Sequence, residues 1–339
     1  MVSFFQFDTD ENRRFLLVRA GRVALLSLLK FDLEWEEIEF IQLSDTITYK
    51  IGTSSKECFL LRIHSDKVSK EEIHSELALL QALNKSDDLT VPEGQVSRDG
   101  SYVLEIDSEE GYQPSCVTMM RWIEGDHANG NFTDSRVYNM GVLMGRLHKV
   151  AANVIPAHDF VRPIWGAQSF KLEMTKLERH YTCFLSDKAW KSYQAAAEKI
   201  ISRLAVIPQN DDNYGLIHAD LHTGNIVFID EQPYPIDFGR SGYGYYLYDI
   251  AGTLLELEPN HRWLFIHGYE SVRKLETNFV KDLECFFIMF MIENYCHHSS
   301  DPRETTGLID EQKYAQAYIR NFLNNTPFLF EMIQPAKVD

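Results

Sequence analysis

Three oxygen-bearing side chains, set between short apolar runs, narrow the folds open to this chain of 339 residues more than anything else in it. They lie in Leu216-Ile-His-Ala-Asp-Leu-His-Thr-Gly-Asn-Ile-Val-Phe-Ile-Asp230 and Pro235-Ile-Asp-Phe-Gly239. The run Tyr214 to Ile217 feeds a loop opened by His218-Ala-Asp220, and Gly224 lets that loop turn. Ile226 to Ile229 has the β-branched and aromatic content of a short strand. Asp230-Glu-Gln-Pro233 is turn chemistry, and Tyr234 to Ile236 leads back into a second strand ending at Asp237. A hairpin of this kind returns Asp237 to Asn225, so two oxygen ligands converge on one hard cation. Mg²⁺ keeps waters and nucleotide phosphates in its shell, so two protein ligands suffice. Asp220 stands on the loop feeding the hairpin, where it can meet an acceptor alcohol. Phosphoryl transfer needs this set: one carboxylate to orient and deprotonate the hydroxyl, an amide oxygen and a second carboxylate for the metal.

Singly, each of the three is an ordinary turn-former. Together, the spacing His-x-Asp-x4-Asn followed by Ile-Asp-Phe-Gly is hard to obtain by accident. A rival reading takes His218-x-Asp220-x-His222 as the zinc or iron triplet of a hydrolase. It leaves Asn225 and Asp237 unexplained, and His148, His297 and His298 lack ligand spacing.

The segments His218 to Asn225 and Ile236 to Gly239 resemble the catalytic loop and metal motif of the aminoglycoside phosphotransferase and choline kinase family. Within it the likeness is to the bacterial branch of type II homoserine kinases and the stress-response kinase. It spans residues 35 to 300 and is specific around 216 to 253. Protein kinases carry lysine two residues after the aspartate, whereas His222 stands here. The resemblance implies an α+β, two-lobed protein-kinase-like fold. A small antiparallel-sheet lobe with an N-terminal extension helix would occupy 1–120, and a larger, mainly helical lobe 121–339. It implies transfer of the γ-phosphate of ATP or GTP, with Mg²⁺, to a hydroxyl of an antibiotic, amino alcohol, sugar or amino acid. A protein Ser/Thr kinase and a non-catalytic nucleotide-binding module of the same fold are the alternatives.

The same resemblance distributes roles. Asp220 is the catalytic carboxylate with His222 assisting, Asn225 and Asp237 hold the metal, and His218 braces the loop. Arg62 stands where the family carries its small-lobe cation, with Glu76 on the following helix as its partner. No Gly-x-Gly-x-x-Gly and no Gly-x4-Gly-Lys occurs near residues 43 to 50, so Ser44, Thr46 and Thr48 would meet the phosphates with hydroxyls and backbone N–H groups. Met119, Met120 and Trp122 fall on the strand and linker beside the base, though both methionines also suit a core. Asp249 would steady the catalytic loop. Arg240 either meets an anionic acceptor or pairs with an acid. Gly242-x-Gly244 reads as a flexible loop.

Net charge is −17, from 33 basic and 50 acidic residues, which disfavours nucleic acid and favours a cationic substrate, although solubility alone can explain it. Five scattered cysteines without Cys-x-x-Cys suit reduced thiols. The acidic start around Asp8 to Glu11 is unlike a signal peptide, and the apolar run Cys285 to Ile292 is too short for a bilayer and reads as a buried helix. A cytoplasmic protein off the membrane is expected, with oligomeric state open.

Elsewhere, Asp8 and Glu11 sit at capping-box spacing before a helix reaching Lys30, whose apolar face is Phe15, Leu16, Val18, Val23, Leu25, Leu26, Leu28 and Leu29. Strands are predicted over Glu37–Leu43, Thr46–Ile51 and Cys58–Ile63, and at Val103-Leu104 and Cys116–Met120 around a turn at Glu109 to Gly111. Helices are predicted over Lys70–Leu83, Val137–Val150 and Lys188–Val206. Gly141 and Gly145 would allow tight helix packing beside a structural His148. Trp165, Trp190 and Trp263 could line a site for a cation or ring, although each taken singly suits core packing. The tail after Phe328 is expected to be loosely ordered.

Overall fold

The structure, a computed structural model, describes residues 4–107, 111–128, 130 and 132–337. The chain divides into two compact units: Met1–Glu124 with Val154–Arg162, and Gly125–Asn153 with Pro163–Asp339.

The first unit is a five-stranded antiparallel sheet in the order β1-β2-β3-β5-β4, flanked by two helices. Its strands are β1 (Trp35–Leu43), β2 (Thr46–Thr53), β3 (Cys58–His64), β4 (Leu104–Ile106) and β5 (Ser115–Arg121). Residues 108–110 lie outside the described residues, and with them most of the turn predicted at Glu109 to Gly111. Alternation splits the sheet into two faces. Ile47, Tyr49, Ile51, Phe59, Leu61, Ile63, Val117 and Met119 form one apolar core with helix α1 (Asp10–Leu28). The cross-strand row Thr48, Arg62 and Thr118 lies on the other face.

Helix α1 begins one residue later than the spacing suggested. Its N-cap is Thr9, whose hydroxyl accepts from Asn12 N, while Asp8 takes the Asn12 side chain. The buried stripe is Leu16, Ala20, Val23, Ala24, Ser27 and Leu28, leaving Phe15, Val18, Leu25, Leu26 and Leu29 exposed. Counting large apolar residues misplaced the face because two alanines let the helix lie close to the sheet. Helix α2 (Lys70–Leu83) has a complete Ser69–Glu72 capping box, and buries Ile73, Leu77, Leu80 and Leu83.

The second unit is mainly helical: α3 (Asp134–Ala151), α4 (Ala167–His180), α5 (Asp187–Leu204), α6 (Tyr246–Leu254), α7 (Pro259–Glu270), α8 (Phe279–His298) and α9 (Thr305–Leu323). Two small sheets run among them. One joins β6 (Asp126–His127), β8 (Ile226–Ile229) and β9 (Gln232–Pro235); the other pairs β7 (Tyr214–Ile217) with β10 (Gly242–Tyr245). Helix α8 buries Cys285 to Glu293 without a break. Among the described residues no helix is long and apolar enough to cross a membrane. Phe328 and Leu329 are buried, and Arg262 Nη1 donates to the Leu329 carbonyl at 2.7 Å, so the tail starts from an anchored point.

Candidate active site

Strand β7 delivers the chain to Asp220, and β10 takes it away after Asp237. Gly242 lies opposite Ile217, so everything between them is a closed excursion whose two ends are pinned together. The glycines of β10 are therefore strand residues, not a flexible loop. A side chain at Gly242 would strike the Pro163 carbonyl at 2.3 Å, and one at Gly244 the Ile217 side chain at 2.5 Å. Close approach, not mobility, explains them.

Inside this excursion one buried carboxylate sets the loop. Asp249, in the first turn of α6, accepts from the backbone N–H of His218 at 2.7 Å and of Ala219 at 2.6 Å. His148 Nε2 lies 3.1 Å from the same carboxylate, and His148 Nδ1 lies 3.0 Å from the Tyr269 hydroxyl. These bonds keep Ala219 at φ +63, a left-handed conformation that costs a non-glycine residue about 1–2 kcal/mol. Asp220 follows directly, half-buried.

Asn225 Nδ2 donates to the Asp220 carbonyl at 2.9 Å and to its Oδ2 at 3.3 Å. With the amide nitrogen so occupied, the amide oxygen is the atom left for a cation. The Ile236 N–H donates to the Asn225 carbonyl at 2.9 Å, which sets Asp237 one residue from that contact. The hairpin is tighter than predicted. Strand β9 starts at Gln232, so Asp230 and Glu231 alone make the turn, with Asp230 at φ +56. Pro233 and Pro235 fit within it because β9 is an edge strand. Asp237 does not end a strand. It is left-handed at φ +60 and opens a 3-10 turn, Phe238–Arg240, with Gly239 N 3.4 Å from its Oδ1. An amide oxygen plus a carboxylate is a donor set that suits Mg²⁺ and not a softer metal. His218 Nε2 donates to the Ile236 carbonyl at 3.0 Å, and His222 Nδ1 accepts from Gly224 N at 3.1 Å, so one nitrogen of each ring is turned inward. Among the described residues no cluster of three His, Cys, Asp or Glu could hold a metal.

Burial pushes the Asp220 carboxyl above the ordinary carboxylate range; Arg240, His222 and His218 pull it back, and Asp237 adds to the rise. Arg240 thus stands in the field of an acid. Its guanidinium lies 4.6 Å over the Trp165 ring, whose Nε1 donates to the Arg240 carbonyl at 3.0 Å. Trp165 is built in beside β10, its N–H on the Tyr243 carbonyl at 2.7 Å, and it stacks on Tyr248 at 6.1 Å. The sequence favoured core packing for Trp165 over a cation-lining place and did not link it to Arg240. It also missed Glu256, which accepts from both the N–H and the hydroxyl of Thr223. Nothing in the local pattern marks Glu256, since it lies beyond α6.

In the first unit, Arg62 Nη2 and Glu76 Oε1 are 2.5 Å apart and almost fully buried. His64 is bonded to Thr118 on the same face at 2.8 Å and held neutral by burial and by the charges of Arg62 and Arg162. Thr48 faces Arg62 across the strands and is buried, its hydroxyl making no hydrogen bond among the described residues. Ser44 is exposed in the β1–β2 turn, its N–H on the Thr46 carbonyl at 3.0 Å. Met120 shares the Arg62 face, whereas Met119 lies in the core under α1, so the two cannot meet one ligand. Strand period separates them. Trp122 leaves β5 with its N–H on the Cys58 carbonyl and the Lys50 ammonium 4.5 Å over its ring.

Residues 38–273 match a sequence model described as the phosphotransferase enzyme family. Over 265 residues, 73% of this chain and 70% of the relative, the sequence is 22% identical to the amicoumacin kinase of Bacillus subtilis (strain 168). Among solved structures, a microcompartment-associated aminopropanol kinase is similar with a TM-score of 0.78 at 22% identity, over 91% of this chain and 99% of that one. An amicoumacin kinase in complex with AMP-PNP, Ca²⁺ and Ami gives 0.75 at 17% identity, over 93% and 96%. At such identities the structural likeness speaks for the fold.

Proposed function

The chain belongs to the phosphotransferase enzyme family and has its two-lobed, protein-kinase-like α+β fold, and from that premise we propose that it moves the γ-phosphate of ATP or GTP onto a hydroxyl of a small molecule. The first unit is assigned nucleotide binding, and the second the transfer and the acceptor. The observation that carries the reading is the Asn225–Asp220 bond inside a loop closed by β7 and β10, with Asp237 one residue from the Asn225 carbonyl contact.

In this reading Asp220 orients the acceptor hydroxyl and takes its proton as the oxygen attacks phosphorus. The Asn225 amide oxygen and the Asp237 carboxylate hold Mg²⁺, which when bound supplies neutralising charge at the phosphate oxygens. Arg62, fixed by Glu76, steadies phosphate oxygens with a forked, permanently charged group. Thr46, Thr48 and the turn at Ser44 contribute hydroxyls and N–H groups, and Met120 and Trp122 flank the base. His222 lends a hydrogen bond to the transferring group, while His218 and Asp249 hold the loop.

The aminopropanol kinase takes its name from an amino alcohol, and a net charge of −17 favours a cationic acceptor, so amino alcohols head the acceptor classes. Free cysteines suit a reducing compartment, and we place the chain in the cytoplasm. The test is Mg²⁺-dependent ATP and GTP consumption over a panel of amino alcohols, amino acids, sugars, antibiotics and protein serines. A small-molecule hit that Asp220→Ala lowers in kcat by about 10²–10⁴-fold, with nucleotide affinity kept, is expected. Full turnover without Asp220 would overturn the assignment.

A further inference from the structure

The turn of α2 that carries Glu76 is gripped by chain far away in sequence. Residues Val154–Arg162 follow α3 yet belong to the first unit. There the Val161 N–H donates to the Ser75 hydroxyl at 2.9 Å, and Arg162 Nη1 donates to the Glu72 carbonyl at 3.0 Å. Glu72, Ser75 and Glu76 lie on consecutive contacts of one helical turn. Arg162 is 7% exposed, Arg62 2% and Glu76 3%, so all three are withdrawn from water together. Burial lowers the pKa of Arg162, the fields of Glu76 and Glu72 oppose that, and Arg62 repels it. Its guanidinium, bonded one turn before Glu76, thus lies within the field of the pair. Hydrogen bonds alone would pin a strap here, as Ser75 already does, and an apolar side chain would do so without desolvating a guanidinium. A buried arginine aimed at this turn implies that its charge is used.

We propose that Arg162 is a positioning residue for the reaction: it fixes the turn of α2 that presents Glu76, and through Glu76 sets the direction of the Arg62 guanidinium. The proposal rests on the reading of Arg62 as the group that steadies the nucleotide phosphates. Glu76 meets Arg62 through its Oε1 at 2.5 Å, and a second cation in the field of the same carboxylate adds to what holds it in that direction. Nothing in the local sequence marks Arg162, which stands between Val161 and Pro163 without a motif around it.

Steady-state kinetics against nucleotide test this in Arg62→Ala, Arg162→Gln, Arg162→Lys, Ser75→Ala and the Arg62→Ala/Arg162→Gln double variant. Arg162→Gln is expected to raise the nucleotide KM about tenfold and to lower kcat, with no further loss in the double variant. Arg162→Lys, which keeps charge but not the fork, is expected to recover part of the loss. Ser75→Ala, which cuts the strap's other tie, is expected to stay within about twofold of the unaltered enzyme. Unchanged kinetics in Arg162→Gln beside an impaired Arg62→Ala would overturn the proposal and leave the Arg62 reading standing; an unimpaired Arg62→Ala would remove that reading first. If Arg162→Gln fails to fold, Arg162→Met takes its place: unchanged kinetics in this uncharged variant would show that the residue serves packing alone and overturn the proposal, whereas a raised nucleotide KM supports it.

Discussion

Asp249 shows how much one side chain can decide. Two consecutive backbone N–H groups and a buried histidine converge on its carboxylate, and the left-handed Ala219 that precedes Asp220 depends on them. Asp249→Asn is expected to cost roughly 2–4 kcal/mol in denaturant titration, because charged hydrogen bonds are weakened and a donor is left facing donors. A loss below roughly 0.5 kcal/mol would show that the loop is set elsewhere. Asp220 carries a pH consequence. Its folded carboxyl titrates above the ordinary range, so with Asp220 as the proposed base kcat/KM should fall on the acid side at a higher pH than an ordinary carboxylate would give. Arg240→Gln removes the largest opposing charge and should move that limb higher still; an unmoved limb would show that Arg240 does not act on Asp220. Glu293 is pushed up to about 7 by burial while accepting from the Tyr248 hydroxyl at 2.5 Å. A raised carboxyl favours the fold at low pH and burdens it as pH rises through about 7, by on the order of 3 kcal/mol once fully ionised. Glu293→Gln should therefore be close to neutral at acid pH and stabilising at alkaline pH; a constant difference across pH would contradict this.

At the scale of elements, two helical glycines are expected to respond with opposite signs to the same change. Gly141 packs α3 against α7 so closely that a methyl group would meet the Phe265 carbonyl at 2.0 Å. Gly141→Ala should destabilise by about 2 kcal/mol or more, since only parting the helices relieves the overlap. A methyl group at Gly21 in α1 would meet nothing within 4 Å from other parts of the described residues, and Gly21→Ala should stabilise by about 0.5–1 kcal/mol through helix propensity. Melting curves of both variants check the pair. The elements themselves were mostly legible. Strands β1 to β3 and helix α2 follow from period and caps, and the buried α8 from an unbroken apolar run, all of them local properties. Two of the errors share one cause. The buried face of α1 and the strand character of Gly242 to Tyr245 depend on what lies across the contact, which a local pattern does not contain, whereas the opposed faces of Met119 and Met120 already follow from strand period.

For the molecule as a whole, binding should be visible as stability. Mg²⁺ with ATP or GTP at a hundredfold over its Kd should add about 2.7 kcal/mol to the folded state. Asp237→Asn should lose the Mg²⁺-dependent part of the thermal shift while retaining its own fold; an undiminished Mg²⁺ effect would remove Asp237 from the metal site. The sequence alone determined the family-level fold and the order of Asp220, Asn225 and Asp237, because their spacing is written into a loop and hairpin only eighteen residues long from Asp220 to Asp237. Tertiary structure alone decided that Asp249 and His148 shape that loop, that Trp165 and Arg240 stand beside it, and that Arg162 returns to the Glu76 turn. Those partners are separated by tens to more than a hundred residues, and burial rather than spacing brings them together, so no window of the chain could have displayed them.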